Sequence, residues 1–166
     1  MQSENTAAVC SFLDGLGIKY NIFFHSPVQS IEECKKIEEV VGGEICKNLL
    51  LTNSAQSVFY LLMLKGDKRF VTSEVSKKLG SSRLSFASAE AMEKLLNTRP
   101  GSLRITSLIF DKDRKVSLAA DSEVFSAEYI CCHPSENTAT LRIKTSDIVD
   151  IFLPALGVTA EIIIII

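Results

Sequence analysis

Only two histidines, His25 and His133, are available for proton transfer among the 166 residues. A Ser-His-Asp triad would have to use one of them, yet no G-x-S-x-G elbow occurs. Cys-His catalysis could pair Cys132 or Cys46 with a distant histidine, a pairing that rests on residue identity alone. A phosphate loop of the G-x-x-x-x-G-K-[ST] type is absent, as are a dinucleotide fingerprint and any H-x-x-x-H or carboxylate cluster for a metal. No cofactor and no metal are therefore expected. What remains is polar chemistry in unusual places. Lys47 and Asn48 interrupt an otherwise apolar run from Ile45 to Leu51. A lysine is rarely buried without a partner, although from a strand edge it could also snorkel to water. In Arg99-Pro100-Gly101-Ser102, Gly101 would let a ligand approach the backbone closely; an ordinary turn looks the same. His133 precedes Pro134 in a loop closed by Asn137 and Thr138, where a hydrogen-bonded loop histidine is the plain alternative.

These residues need elements to hold them, and the elements alternate in type along the chain. Thr6 or Asn5 can cap a first helix that carries Ala8, Phe12 and Leu16 at a spacing of four and stops at Gly17. Ile18, Tyr20, Ile22 and Phe24 then alternate as in a half-buried strand, ended by His25-Ser26-Pro27. Ser30 with Glu33 fits a capping box for a helix running to Val41 and Gly42-Gly43. Strands from Ile45 to Thr52 and Val58 to Leu64 flank a polar turn, which predicts a hairpin. Their near-continuous apolar runs predict burial on both faces. Thr72 caps a short helix ending at Leu79-Gly80. A brief strand, Arg83 to Phe86, leads to Ser88, which caps the helix Ala89 to Leu96. Strands around Leu108 to Phe110 and Lys115 to Ala119 flank Asp111-Lys112-Asp113-Arg114, a second hairpin signal. Strands near Tyr129 to Cys132 and Thr138 to Ile143 enclose the His133 loop, and a last helix carries Ile148, Val149, Phe152 and Leu156, its final turn weakened by Pro154. The pattern is α+β, a single mixed and largely antiparallel sheet with helices packed around it.

Eighteen basic against 20 acidic residues give a net charge of -2. That argues against a protein that coats a nucleic-acid duplex, since many phosphate contacts need a basic face; no DNA partner is expected. A protein that holds only a strand end is still allowed. The five cysteines form no C-x-x-C pair and read as free thiols of a cytoplasmic protein. The N-terminus lacks the basic and apolar regions of a signal peptide, and no run is long enough to span a membrane. The five isoleucines from Ile162 to Ile166 could be an edge strand or a sticky end.

Taken together, the unusual segments resemble one family. Lys47-Asn48-Leu49-Leu50-Leu51 resembles the K-N-L-x-L signature of the YbaK/ProX aminoacyl-tRNA deacylases. Gly66-Asp67-Lys68-Arg69 is similar to its G-D-K-R stretch, and Arg83-Leu84-Ser85-Phe86-Ala87-Ser88 to its R-L-S-F-A-S segment. Pro100-Gly101-Ser102 matches a P-G-S loop, His133-Pro134 with Asn137-Thr138-Ala139-Thr140 matches H-P-x-x-N-T-A-T, and His25-Ser26-Pro27-Val28 fits an early H-x-P-V element. The blocks stand in the family's order across residues 6 to 157, and two of them favour the ProX branch.

The resemblance implies a partly barrel-like sheet in one domain, residues 1–157, followed by a tail, 158–166, with no assigned function. It implies hydrolysis of a mischarged aminoacyl ester at the 3′ adenosine of tRNA, with alanine on proline tRNA as the expected substrate and prolyl-tRNA synthetase as a further partner. Cysteinyl-tRNA(Pro) deacylation and a non-catalytic tRNA- or synthetase-associated module are the alternatives. An aminoacyl ester is already activated, so positioning and charge stabilisation can suffice. In this reading Lys47, Gly101 and His133 carry the chemistry. Gly101 N–H, with Ser102, lines an oxyanion site; Lys47 holds ribose or phosphate or stabilises developing charge; His133 shapes the pocket and contacts substrate. Asn48, Ser102 and Asn137 bind the substrate, and Lys68 and Arg69 hold the tRNA body. Selectivity would come from a pocket small enough for alanine, with Ile45, Leu62 and Ile130 as candidate walls.

Overall fold

The computed structural model describes residues 3–166. Helix α1 (Glu4–Gly15) is capped by Ser3, whose Oγ accepts from Thr6 N at 3.2 Å, so the cap lies earlier than Asn5 or Thr6. Strand β1 spans Tyr20–Phe24. Helix α2 (Ile31–Val41) starts at the expected Ser30, whose Oγ accepts from Glu33 N at 3.2 Å. The Glu33 carboxylate reaches back one residue further than a standard box and accepts from Gln29 N at 2.7 Å. Strands β2 (Lys47–Asn53) and β3 (Phe59–Leu64) form the expected antiparallel hairpin, with Leu49 opposite Leu62. Its turn is shaped by Asn53 Oδ1, which accepts from Ser57 N at 2.9 Å. Helix α3 (Thr72–Lys78), strand β4 (Leu84–Phe86) and helix α4 (Ala89–Leu96) follow, α4 capped by Ser88 as its sequence predicts.

The second hairpin does not form. Ile105–Phe110 is a 3₁₀ helix, and strand β5 (Val116–Asp121) runs parallel to β3 instead of folding back on a neighbour. The cause lies in Asp111, whose buried carboxylate accepts from Lys115 N at 3.0 Å and Val116 N at 2.8 Å. That side chain supplies the turn's hydrogen bonds, so Leu108 and Ile109 reach the core without a strand partner. After the short helix α5 (Ser122–Ser126) come β6 (Tyr129–Cys132) and β7 (Ala139–Lys144). The closing helix includes a wide π-helical turn, Ile148–Phe152, next to Pro154, which has no N–H to donate.

The strands described form two sheets rather than one. One is antiparallel, in the order β1-β7-β6. The other is mixed, in the order β4-β2-β3-β5-β8, where β8 (Ala160–Ile163) is parallel to β5. A single parallel bridge, Ile45 to Cys131, joins the two sheets, so there is no closed barrel. The larger core fills the space between the sheets: Leu50, Leu61 and Met63 from one meet Ile130, Leu141 and Ile143 from the other, beside Val9, Leu96 and Phe152. A second core lies on the far face of the mixed sheet, where Leu51, Leu62 and Leu64 pack under Val75, Leu79, Ile163 and Ile165. The isoleucine tail thus begins in an edge strand, at Ile162 and Ile163, and buries Ile163 and Ile165. Leu62 and Ile130 lie in different cores and cannot form one pocket wall.

Candidate functional site

Three loops gather at one end of the antiparallel sheet. Arg99-Pro100-Gly101-Ser102 is closed by Ser102 N donating to Arg99 O at 3.0 Å, and Gly101 has φ +86°. Proline at the second position and a positive φ at the third make a type II turn, for which glycine is the natural residue. The Ser102 N–H is therefore taken by the turn, which leaves Gly101 N–H as the turn's candidate oxyanion donor. The second loop, His133 to Thr138, is tied to the first by Arg104. Its Nη1 donates to Thr98 Oγ1 at 2.9 Å and to Ser102 O, and reaches Ser135 O at 3.5 Å. The third loop follows β1. Asn137 clamps it, with Nδ2 donating to Val28 O at 2.7 Å and Oδ1 accepting from Val28 N at 3.3 Å. Both ends of the Asn137 amide are thus taken by the chain's own backbone, and its role here is to hold loops together. A cleft of about 320 Å³ opens beside these loops, lined by Thr98, Arg99, Ser102, Ser135 and Glu136 among others.

The two imidazoles meet in this region, their ring centroids 6.0 Å apart. His133 Nδ1 lies 2.7 Å from Ala139 O, and a carbonyl only accepts, so Nδ1 carries the proton and the neutral ring keeps its lone pair at Nε2. Burial holds the His133 pKa below the ordinary histidine range, with the charges of His25 and Arg104 pushing the same way against the Ala139 carbonyl. His133 therefore presents a neutral acceptor at neutral pH. His25 Nδ1 is 2.9 Å from Ser26 O and its Nε2 is 2.8 Å from the Thr140 hydroxyl.

Lys47 stands apart from that group. Side chains alternate along a strand, and the register of β2 turns Lys47, Leu49 and Leu51 to the second core while Asn48 and Leu50 face the first. Lys47 Nζ donates to Lys68 O at 2.9 Å, so the Lys47 strand and the Gly66–Arg69 loop meet. Lys68 is not free for RNA. Its Nζ is 2.6 Å from the buried Asp121 carboxylate and 2.8 Å from Glu123, and donates to Ile165 O at 2.7 Å. The residue ties the tail to the loop that Lys47 grips, so all three of its ammonium donors have partners within the chain. Arg69 is exposed. Asn48 Nδ2 donates to Cys46 O at 3.1 Å, and its buried Oδ1 has no partner. The bridge between the sheets links the two groups. From Ile45 and Cys131 the chains run parallel, and two residues further on they reach Lys47 and His133. At about 3.3 Å per residue, each Cα lies within about 7 Å of the bridging pair.

Two features of the site escaped the sequence reading. Arg104 is 1 % exposed and forms no ion pair among the described residues; burial holds its pKa down at about 10, still well above neutral, so it stays charged. Its signal was present, one cation inside the apolar run Leu103 to Phe110, the same signal that marks Lys47. His25 is one of the two histidines in the sequence and part of a matched block, but nothing in the sequence places it beside His133. The three cysteines nearest the sheet junction are held as thiols rather than thiolates: burial pushes Cys46 and Cys132 up to about 12 and Cys131 up to about 11. The arrangement offers backbone donors, an ammonium and a neutral imidazole acceptor, a set suited to stabilising an oxyanion and ordering a hydroxyl.

Residues 25–151 match the model of the aminoacyl-tRNA editing domain, and the chain belongs to that family. The prolyl-tRNA editing protein ProX of Acetoanaerobium sticklandii is 30% identical over 148 residues, covering 89% of this chain and 90% of that protein. The prolyl-tRNA synthetase associated domain-containing protein 1 of Danio rerio is 30% identical over 139 residues, covering 82% of this chain and 75% of that protein. A crystal structure of a protein provisionally assigned as a trans-editing enzyme for prolyl-tRNA synthetase has the same fold, with a TM-score of 0.71 at 16% identity and coverage of 97% of each chain. Among the described residues no helix is long and apolar enough to cross a membrane.

Proposed function

We propose that this chain is a trans-editing hydrolase that removes alanine from mischarged proline tRNA. Water attacks the ester carbonyl carbon, the bond to the ribose oxygen of the 3′ adenosine breaks, and the water proton passes to that oxygen; alanine and tRNA leave. Gly101 N–H stabilises the oxyanion, Lys47 holds the terminal ribose or phosphate, and the His133 Nε2 lone pair accepts from the ribose hydroxyl or the water. The observation that carries this reading is the junction of the two sheets. It sends Lys47 and His133 off one bridge in the same direction, and Arg104 ties the Gly101 turn to the His133 loop.

A panel of charged tRNAs tests it. Release of alanine from Ala-tRNA(Pro), with Pro-tRNA(Pro) left intact, is the expected result. Faster release from Cys-tRNA(Pro) would move the substrate to cysteine, and tRNA binding without hydrolysis of any member would reduce the chain to a binding module. Lys47→Ala should lower the rate sharply while leaving the melting temperature within a few degrees.

A further inference from the structure

We propose that Arg104 is the positioning residue of this site: its guanidinium sets the Gly101 turn against the His133 loop. The inference rests on the editing function proposed above. Arg104 is almost wholly buried, and its Nη1 joins Thr98 Oγ1 and Ser102 O on one side to Ser135 O on the other. Nε and Nη2 are buried without a partner. A buried cation with no ion-pair partner among the described residues and two unpartnered nitrogens is a costly way to fill space; a methionine or leucine would fill it at less cost. What the guanidinium adds is a tie between two loops that no regular element joins. The Ser102 carbonyl it grips follows directly on Gly101, and Ser135 lies two residues beyond His133.

The same charge acts on the imidazole. The charged and titratable groups that act on His133 are the His25 ring and Arg104; Glu136, on the same loop, has its Oε1 held by Ser3 N and Thr6 Oγ1. Removing the Arg104 cation takes away one of the influences that keep His133 neutral, so the imidazole should titrate higher in its absence.

The test compares wild type with Arg104→Met and Arg104→Lys on Ala-tRNA(Pro), measuring kcat, KM, melting temperature and the His133 titration midpoint by NMR. The expected Met variant folds, loses about tenfold or more in kcat with KM little changed, and titrates His133 higher; Lys, which keeps the charge, recovers most of the rate. A Met variant with kcat within about twofold of wild type, or an unmoved His133 midpoint, overturns the proposal. Should the Met variant fail to fold, Thr98→Val decides, because it removes one tether and leaves the core apolar; an unchanged kcat there overturns the proposal equally. If the wild-type protein hydrolyses no charged tRNA, the editing function itself has failed, and the His133 midpoint alone decides whether Arg104 acts on the imidazole.

Discussion

Gly101→Ala separates backbone conformation from steric bulk. A Cβ at Gly101 would meet nothing within 4 Å, so no clash can explain a loss. The residue does sit at φ +86°, where an L side chain is strained by about 1–2 kcal/mol. Alanine also removes freedom from the unfolded chain, worth about 0.4–1 kcal/mol in the opposite direction. The net loss is about 1 kcal/mol, or about 2–4 °C in melting temperature for a domain of this size. The alternative to strain is relaxation to a type I turn, which rotates the Pro100–Gly101 peptide and points the Gly101 N–H away. If that N–H is the oxyanion donor, kcat should fall about 10²–10³-fold, far beyond the small loss of stability. Gly101→Asn, which tolerates a positive φ better, should recover part of both. Deacylation kinetics on Ala-tRNA(Pro) and thermal unfolding of the same preparations read the two effects. Wild-type kcat alongside the expected drop in melting temperature would refute the oxyanion role, and a drop beyond about 10 °C would refute the conformational reasoning.

Three further outcomes follow from the packing and the charges. The His133 pKa is lowered in the folded state, so the unfolded chain binds more protons; its contribution is fully present above about pH 6.5 and is lost as pH falls through the lower folded value. His133→Gln should flatten that acid limb in chemical denaturation between about pH 7 and 5, and an unchanged limb counts against the assignment. Gly43→Ala would place a Cβ 2.5 Å from the Sγ of buried Cys131, so it should destabilise clearly and be relieved by Cys131→Ala in the double variant; simple additivity would show that the contact is soft. Native protein treated with iodoacetamide near pH 7.5 should leave Cys131 and Cys132 unmodified until it is unfolded, and mass mapping that finds either labelled early contradicts their burial.

Local chemistry made much of the fold legible. Ser30 and Ser88 cap the helices their spacing predicts, and the Asn53 turn sets the β2–β3 hairpin. Tertiary pairing was not legible. The polar turn at Asp111 looks like a hairpin loop, and only the burial of its carboxylate shows that it redirects the chain so that β5 can lie parallel to β3. Lys68 looks like an exposed loop cation for a similar reason. The carboxylate that draws it in, Asp121, follows two alanines at the end of β5, and nothing in that stretch signals that the isoleucine tail will cover it. Gly101 and His133 were visible because a turn and a lone histidine announce themselves; Arg104 carried the signal of a cation among apolar neighbours, but its partners, the Thr98 hydroxyl and the Ser102 and Ser135 carbonyls, could not be read from it.

The division of the sheet in two explains how so few polar residues can make a site. Strand β4 pairs with β2 only from Leu51 to Asn53, so among the described residues the Lys47–Leu49 edge has no strand neighbour beyond the single bridge at Ile45. A continuous sheet would have paired that edge and buried its N–H and C=O groups in a ladder. Here the two strands part beyond the Ile45–Cys131 bridge, on the way to Lys47 and His133, which leaves backbone donors and acceptors of that β2 edge outside a ladder. The same parting makes the loop ties necessary. Without a ladder to fix spacing, the distance between the Gly101 turn and the imidazole depends on Arg104 and on the Asn137 clamp to Val28. Precision at this end of the molecule is therefore set by side chains, and substitutions in those ties should alter turnover more than they alter stability.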